Sequence, residues 1–82
     1  MTQLTLELHQ QPRHTQRGAI YEWLTLQGEH GATDEEIQNA LRLPGDTERP
    51  RRQELQKLGM VVDSERKRMT QHMRPATVWV AT

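Results

Sequence analysis

The residues best suited to chemistry stand together. Between Pro44 and Met60 the chain reads PGDTERPRRQELQKLGM, with Arg49, Arg51 and Arg52 as a basic run, Leu55 and Leu58 as a short apolar ridge behind it, and Gly59 to close. A helix that is basic in its first half and apolar in its second is half docked and half offered to something outside. A second basic set follows at Arg66, Lys67, Arg68 and Arg74. Charge divides along the chain in the same sense. Residues 1–48 hold three basic against eight acidic residues, about −5, and residues 49–82 hold eight against three, about +5. The formal net charge of zero therefore hides two opposed halves. Such asymmetry is the kind associated with a nucleic acid or another anionic partner, and a solvated surface carrying both signs accounts for the charge alone equally well.

Other chemistries have less behind them. Asp34, Glu35 and Glu36 could form a catalytic carboxylate cluster, but helix capping accounts for all three. In Thr33-Asp34-Glu35-Glu36 the Thr33 hydroxyl can accept from the backbone of Glu36 while the Glu36 side chain reaches back to the backbone of Thr33. His9, His14, His30 and His72 fall at spacings that match no metal site, and no nucleophile set or phosphate-binding glycine loop occurs. The lack of cysteine excludes disulfides and thiolate metal sites and suits a reducing compartment. The expectation is a protein that is not an enzyme and uses no metal or other cofactor. No apolar run approaches the roughly 20 residues needed to cross a bilayer, and the N-terminus lacks a basic-then-apolar signal pattern. A soluble cytoplasmic protein without membrane contact is expected.

Positioning these residues takes a small scaffold. Eighty-two residues, 33% of them hydrophobic and none of them Phe, allow one domain with a lean core. Residues 1–14 alternate at Leu4, Leu6 and Leu8 and then turn polar at Pro12, which reads as a flexible N-terminal arm rather than a strand. From Thr15, a candidate cap, to Gln27, the apolar residues Ala19, Ile20, Trp23, Leu24 and Leu26 recur at helical spacing, with Trp23 taken as core. Gly28-Glu29-His30-Gly31 stops that helix. The capping box at Thr33 starts a second, short one whose buried stripe is Ile37, Ala40 and Leu41, with Leu43 anchoring the turn into Pro44-Gly45. Pro50 is tolerable only in the first turn of the third helix, so that helix should begin close to Asp46–Arg49, capped by Asp46 or Thr47. Beyond Gly59, the β-prone Met60-Val61-Val62 and Ala76-Thr77-Val78-Trp79-Val80 suggest a hairpin whose long connection carries Arg66, Lys67, Arg68 and Arg74 at its tip. Val78 and Val80 share one face and Thr77 and Trp79 the other; period alone does not say which is inward.

Helix, short helix, tight turn, helix and hairpin is the order of a winged helix-turn-helix domain. Gly31-Ala32-Thr33-Asp34-Glu35-Glu36-Ile37 followed by Leu41 resembles the entry to the second helix of bacterial winged-helix regulators. Arg52-Gln53-Glu54-Leu55-Gln56-Lys57-Leu58-Gly59-Met60-Val61 resembles the end of their recognition helix. With Arg-Pro-Arg-Arg at 49–52 and Arg-Pro-Ala-Thr-Val-Trp at 74–79, the chain is also similar to small stand-alone winged-helix proteins of phages and mobile elements. The resemblance covers roughly residues 15–80.

It implies an α+β, mainly α fold of three helices and a β-hairpin wing over residues 15–82. It also implies binding of double-stranded DNA, in the setting of transcriptional regulation. The recognition helix, about 46–58, would turn Thr47, Glu48, Arg49, Arg51 and Arg52 toward the major groove, with Gln53 and Gln56 able to reach bases; Arg can pair with guanine for about 1–3 kcal/mol of discrimination. Arg66, Lys67, Arg68 and Arg74 on the wing would meet phosphate or the minor groove. Glu48 could accept from cytosine, but capping and pairing with Arg52 four residues on is the favoured role. The rival from another class is a winged-helix protein-docking module, for which the leucine arm could bind a protein partner or a second copy. Charge reversal at Arg51 and Arg52 is expected to separate the two.

Overall fold

The computed structural model describes residues 8–82. A helical turn at residues 8–10 leads into α1 (Arg13–Gln27), a 3₁₀ turn (Gly28–His30), α2 (Asp34–Leu41), α3 (Gly45–Lys57) and an antiparallel hairpin of β1 (Val61–Met69) and β2 (Pro75–Ala81). The mainly helical α+β order expected from the sequence is present.

Helix α1 starts two residues before Thr15, with Pro12 in the cap position and no side-chain cap. Gln16 takes over the entry: buried, its Nε2 donates to the carbonyl of His9 at 2.9 Å and ties the preceding turn to the helix. The last two residues of the expected arm thus belong to α1, and Leu8 packs against the core; Leu4 and Leu6 lie outside the described residues. The buried line of α1 is Gln16, Ile20 and Leu24, one every fourth residue, with Tyr21 and Trp23 half-buried beside it. Leu26 was expected on this face but is 82% exposed, since two residues past Leu24 is about 200° around the helix.

The capping box forms as expected. Glu36 N–H donates to Thr33 Oγ1 at 3.1 Å and Thr33 N–H to Glu36 Oε1 at 3.0 Å. Ile37 is buried and Leu41 half-buried, but Ala40 is exposed, on the shoulder of α2 away from the core. Helix α3 begins at Gly45, earlier than expected, because the Pro44 carbonyl accepts from the N–H groups of Thr47 and Glu48 and makes Pro44 the cap; neither Asp46 nor Thr47 caps it. Pro50 therefore sits inside the helix, in its second turn, where it has no N–H to give the preceding turn. The C-terminus is a Schellman motif, with Gly59 at φ 75°, Gly59 N–H to Gln56 O and Met60 N–H to Leu55 O. That turn seats Met60 against the core and leaves Leu58 61% exposed, so the expected ridge reduces to Leu55.

The hairpin departs most from expectation. Strand β1 runs on through the polar stretch to Met69, so Arg66, Lys67 and Arg68 are strand residues, and of the four basic residues only Arg74 lies in the turn. The register passes from Asp63 opposite Trp79 to Lys67 opposite Thr77, four steps against two, which makes a bulge. Polar side chains satisfy it: Asp63 Oδ1 accepts from Glu65 N–H at 2.7 Å and Ser64 Oγ from Arg66 N–H at 3.2 Å. Strand β2 is paired on both sides, with β1 and with Ala32, whose N–H and C=O exchange bonds of 2.9 and 2.8 Å with Trp79. Both of its faces are covered in part, burying Val78 on one and Trp79 on the other. Trp79 joins Ile20, Leu24, Ala32, Ile37, Leu43, Leu55 and Val61 in the core.

Candidate functional site

A groove of about 790 Å³ opens between the first turn of α2, the first half of α3 and the hairpin. Asp34 and Gln38 line one wall, Arg49 and Arg52 the next, and His72, Arg74, Thr77 and Trp79 the third. Its floor is a single assembly. Arg52, 8% exposed, donates from Nε to Asp34 Oδ1 at 2.9 Å and from Nη2 to Asp34 Oδ2 at 2.6 Å, while Nη1 reaches Gln56 Oε1 at 3.1 Å. Its guanidinium lies 4.2 Å from the centroid of a Trp79 ring. One side chain thus joins α2, α3 and β2 through a bidentate ion pair and a cation–π contact.

The expected contact residues separate into two groups. Glu48 is fully buried, accepts from Gln38 Nε2 at 2.9 Å, and is not bonded to Arg52. Burial pushes its carboxyl up to about 8, with the neighbouring Asp34 carboxyl adding to the rise. Arg51 is half-buried and pairs with Glu54 Oε2 at 3.0 Å, whose other oxygen takes Arg17 at 3.3 Å. Arg68 holds both Glu36 oxygens, at 2.8 and 3.0 Å, and the carbonyls of His30 and Gly31. The hydrogen bonds from Arg68 hold the Glu36 carboxyl below its usual value, and the same bonds to Glu36 raise the Arg68 guanidinium. Arg66 donates to the carbonyl of Glu29 and lines a different depression, beside Gly28 and Val80. Thr47 is half-buried.

The remainder is outward. Asp46, Arg49, Gln53 and Gln56 are exposed and follow one another at three- and four-residue spacing, an open stripe along α3. Arg49 borders the groove from this stripe and Arg74 from the hairpin turn, both exposed and without a carboxylate partner among the described residues. Lys67 Nζ donates to Oγ1 of Thr77, a groove-lining residue, at 2.8 Å.

Asp34, Gln38 and Trp79 had no place in the expected site. Asp34 was legible as a first-turn helix acid, but its pairing with a residue 18 positions on has no local signal. Among the described residues no group of three or more His, Cys, Asp or Glu is placed to hold a metal ion, and no helix is long and apolar enough to cross a membrane. Comparison of the chain with protein-family models, curated proteins and solved structures finds no match.

Proposed function

We propose that the chain is a winged helix-turn-helix protein that binds double-stranded DNA, with α3 as the recognition helix and the β1–β2 hairpin as the wing. The observation that carries this reading is the open stripe of α3, Arg49 with Gln53 and Gln56, lying beside a groove whose far rim is Arg74. Arg49 and Gln53 supply the forked donors and amide groups that read base edges, and Arg74 and Lys67 supply phosphate contacts. Arg52, Arg68 and Glu48 hold the scaffold. A regulatory role in transcription is the setting in which such a domain is most at home.

The electrostatics set the size of the expected effect. Three cations without a carboxylate partner, Arg49 and Arg74 on the groove and Lys67 bonded to its Thr77, give a salt slope of about −2.7, hence about 40-fold weaker binding between 50 and 200 mM salt. Fluorescence anisotropy of a labelled random-sequence duplex at those two concentrations tests it, with Arg49→Glu/Arg74→Glu expected to abolish binding at both. No binding by the unsubstituted protein at low salt would defeat the reading. It would favour the rival, a protein-docking use of the same domain, for which exposed Leu26 and Leu58 speak.

A further inference from the structure

Glu48 is buried at the junction of α2 and α3 in surroundings that do not suit a carboxylate. Its Oε1 accepts one hydrogen bond, from Gln38, and its Oε2 is buried with no partner. The Asp34 carboxyl lies within hydrogen-bonding reach. Two ionised carboxylates there would set acceptor against acceptor, whereas a protonated Glu48 can donate its O–H to Asp34. The cation spaced to neutralise Glu48 is Arg52, four residues on, and it is turned away, onto Asp34, Gln56 and Trp79.

We propose that Glu48 and Asp34 compete for Arg52 and that one proton on Glu48 decides the outcome. With Glu48 neutral, Arg52 stays on Asp34 and covers the Trp79 ring. When Glu48 ionises, Arg52 turns to it as the partner one helical turn away, and the Trp79 face opens to the groove. The groove floor is thereby proton-linked. Burial, which raises the Glu48 carboxyl to about 8, places the exchange just above neutrality. The groups that act on Glu48 itself are Asp34, Gln38 and Arg52; the other charged and titratable groups lining the groove beside Asp34 are Glu35 on α2, Arg49 on α3, and His72 and Arg74 on the hairpin. The exchange goes beyond the DNA-binding reading and does not depend on it, because it takes place in the protein alone.

Trp79 is its reporter. Trp23 is the second tryptophan of the chain, so Trp23→Phe leaves the Trp79 emission alone to be followed between about pH 6 and 10. The expected result is a single transition with its midpoint near 8, absent when Glu48→Gln is added and retained when His72→Gln is added instead. A flat emission, or a transition that survives Glu48→Gln, would overturn the proposal. The side-chain carboxyl ¹³C shift of Glu48 in the unsubstituted protein, assigned by its loss in Glu48→Gln, gives a second measure. It should titrate with the same midpoint, and a midpoint near the ordinary 4.5 would equally overturn the exchange.

Discussion

Arg49 and Arg52 are three positions apart on one helix and perform opposite tasks. Arg52 is enclosed by Asp34 and Trp79, so its removal strands a carboxylate at the groove floor; Arg49 is exposed and paired with no carboxylate among the described residues. Breaking a buried pair by deleting one partner costs about 3–5 kcal/mol, whereas an exposed substitution stays within about 0.5 kcal/mol. Urea denaturation should therefore show a large fall in midpoint for Arg52→Ala and almost none for Arg49→Ala. Glu48 gives a pH signature of unusual sign. Its folded-state carboxyl titrates near 8 against 4.5 in the unfolded chain, so between those values the native state holds the extra proton. Its contribution to stability is complete below about pH 4.5, falls as pH rises to about 8, and is constant beyond. Glu36 acts in the opposite sense: the Arg68 pair contributes above the ordinary carboxylate range and is lost as pH falls below it. Glu48→Gln should be more stable than the unsubstituted protein at pH 7 and lack the decline between 4.5 and 8, as read from urea midpoints across pH.

At the scale of elements, what the sequence discloses is what neighbouring residues decide among themselves. The Thr33 capping box and the Gly59 stop involve partners within a few positions, and both appear where expected; the β-prone ends of the hairpin are legible from residue type alone, since Val61 pairs with distant Ala81. The misplaced starts of α1 and α3 share one cause, a proline carbonyl that serves as the cap with no side-chain cap beside it. The bulge in β1 escaped notice because a polar run reads as a loop until Asp63 and Ser64 are seen to bond its backbone. Gly31 is where two elements meet most closely. At φ 60° it approaches β2 so nearly that a Cβ would strike the Trp79 carbonyl and come within 2.8 and 2.9 Å of Val80 and Val78. Strain at such a backbone angle costs about 1–3 kcal/mol before the collision is added. Gly31→Ala should lower the thermal midpoint and loosen the Ala32–Trp79 pairing, visible as faster hydrogen exchange at the Trp79 amide. Gly18→Ala, at an exposed helical position with open space around it, should instead be neutral or mildly stabilising.

For the molecule as a whole, the division of charge along the sequence means something different once the chain is folded. Asp34 and Glu36 in the acidic half take Arg52 and Arg68 from the basic half, and Glu54 in the basic half takes Arg17 from the acidic one. Much of the asymmetry is therefore complementarity between parts of one domain, joining α2 to α3, α2 to β1 and α1 to α3. Sequence reading could see the charges but not their pairing, because the partners stand 18, 32 and 37 positions apart. This changes what DNA binding can look like. A surface using all of its arginines would make six to ten phosphate contacts and lose about 10³–10⁵ in affinity over the same salt interval, against about 40-fold for three. The slope of log affinity against log salt thus counts the cations that meet phosphate, and separates the three at the groove from a wider set. On the proposed DNA-binding reading Arg74→Ala removes one phosphate contact, and should make that slope shallower by about 0.9 at unchanged stability. Arg68→Ala should instead leave the slope as it is and lower the urea midpoint, because its charge is already spent on Glu36 and on the turn before α2. A slope clearly steeper than about −6.3, the value for all seven cations outside the four ion pairs of the described residues, would mean that the internal pairs open on DNA, and that the fold exchanges its own carboxylates for phosphates when it binds.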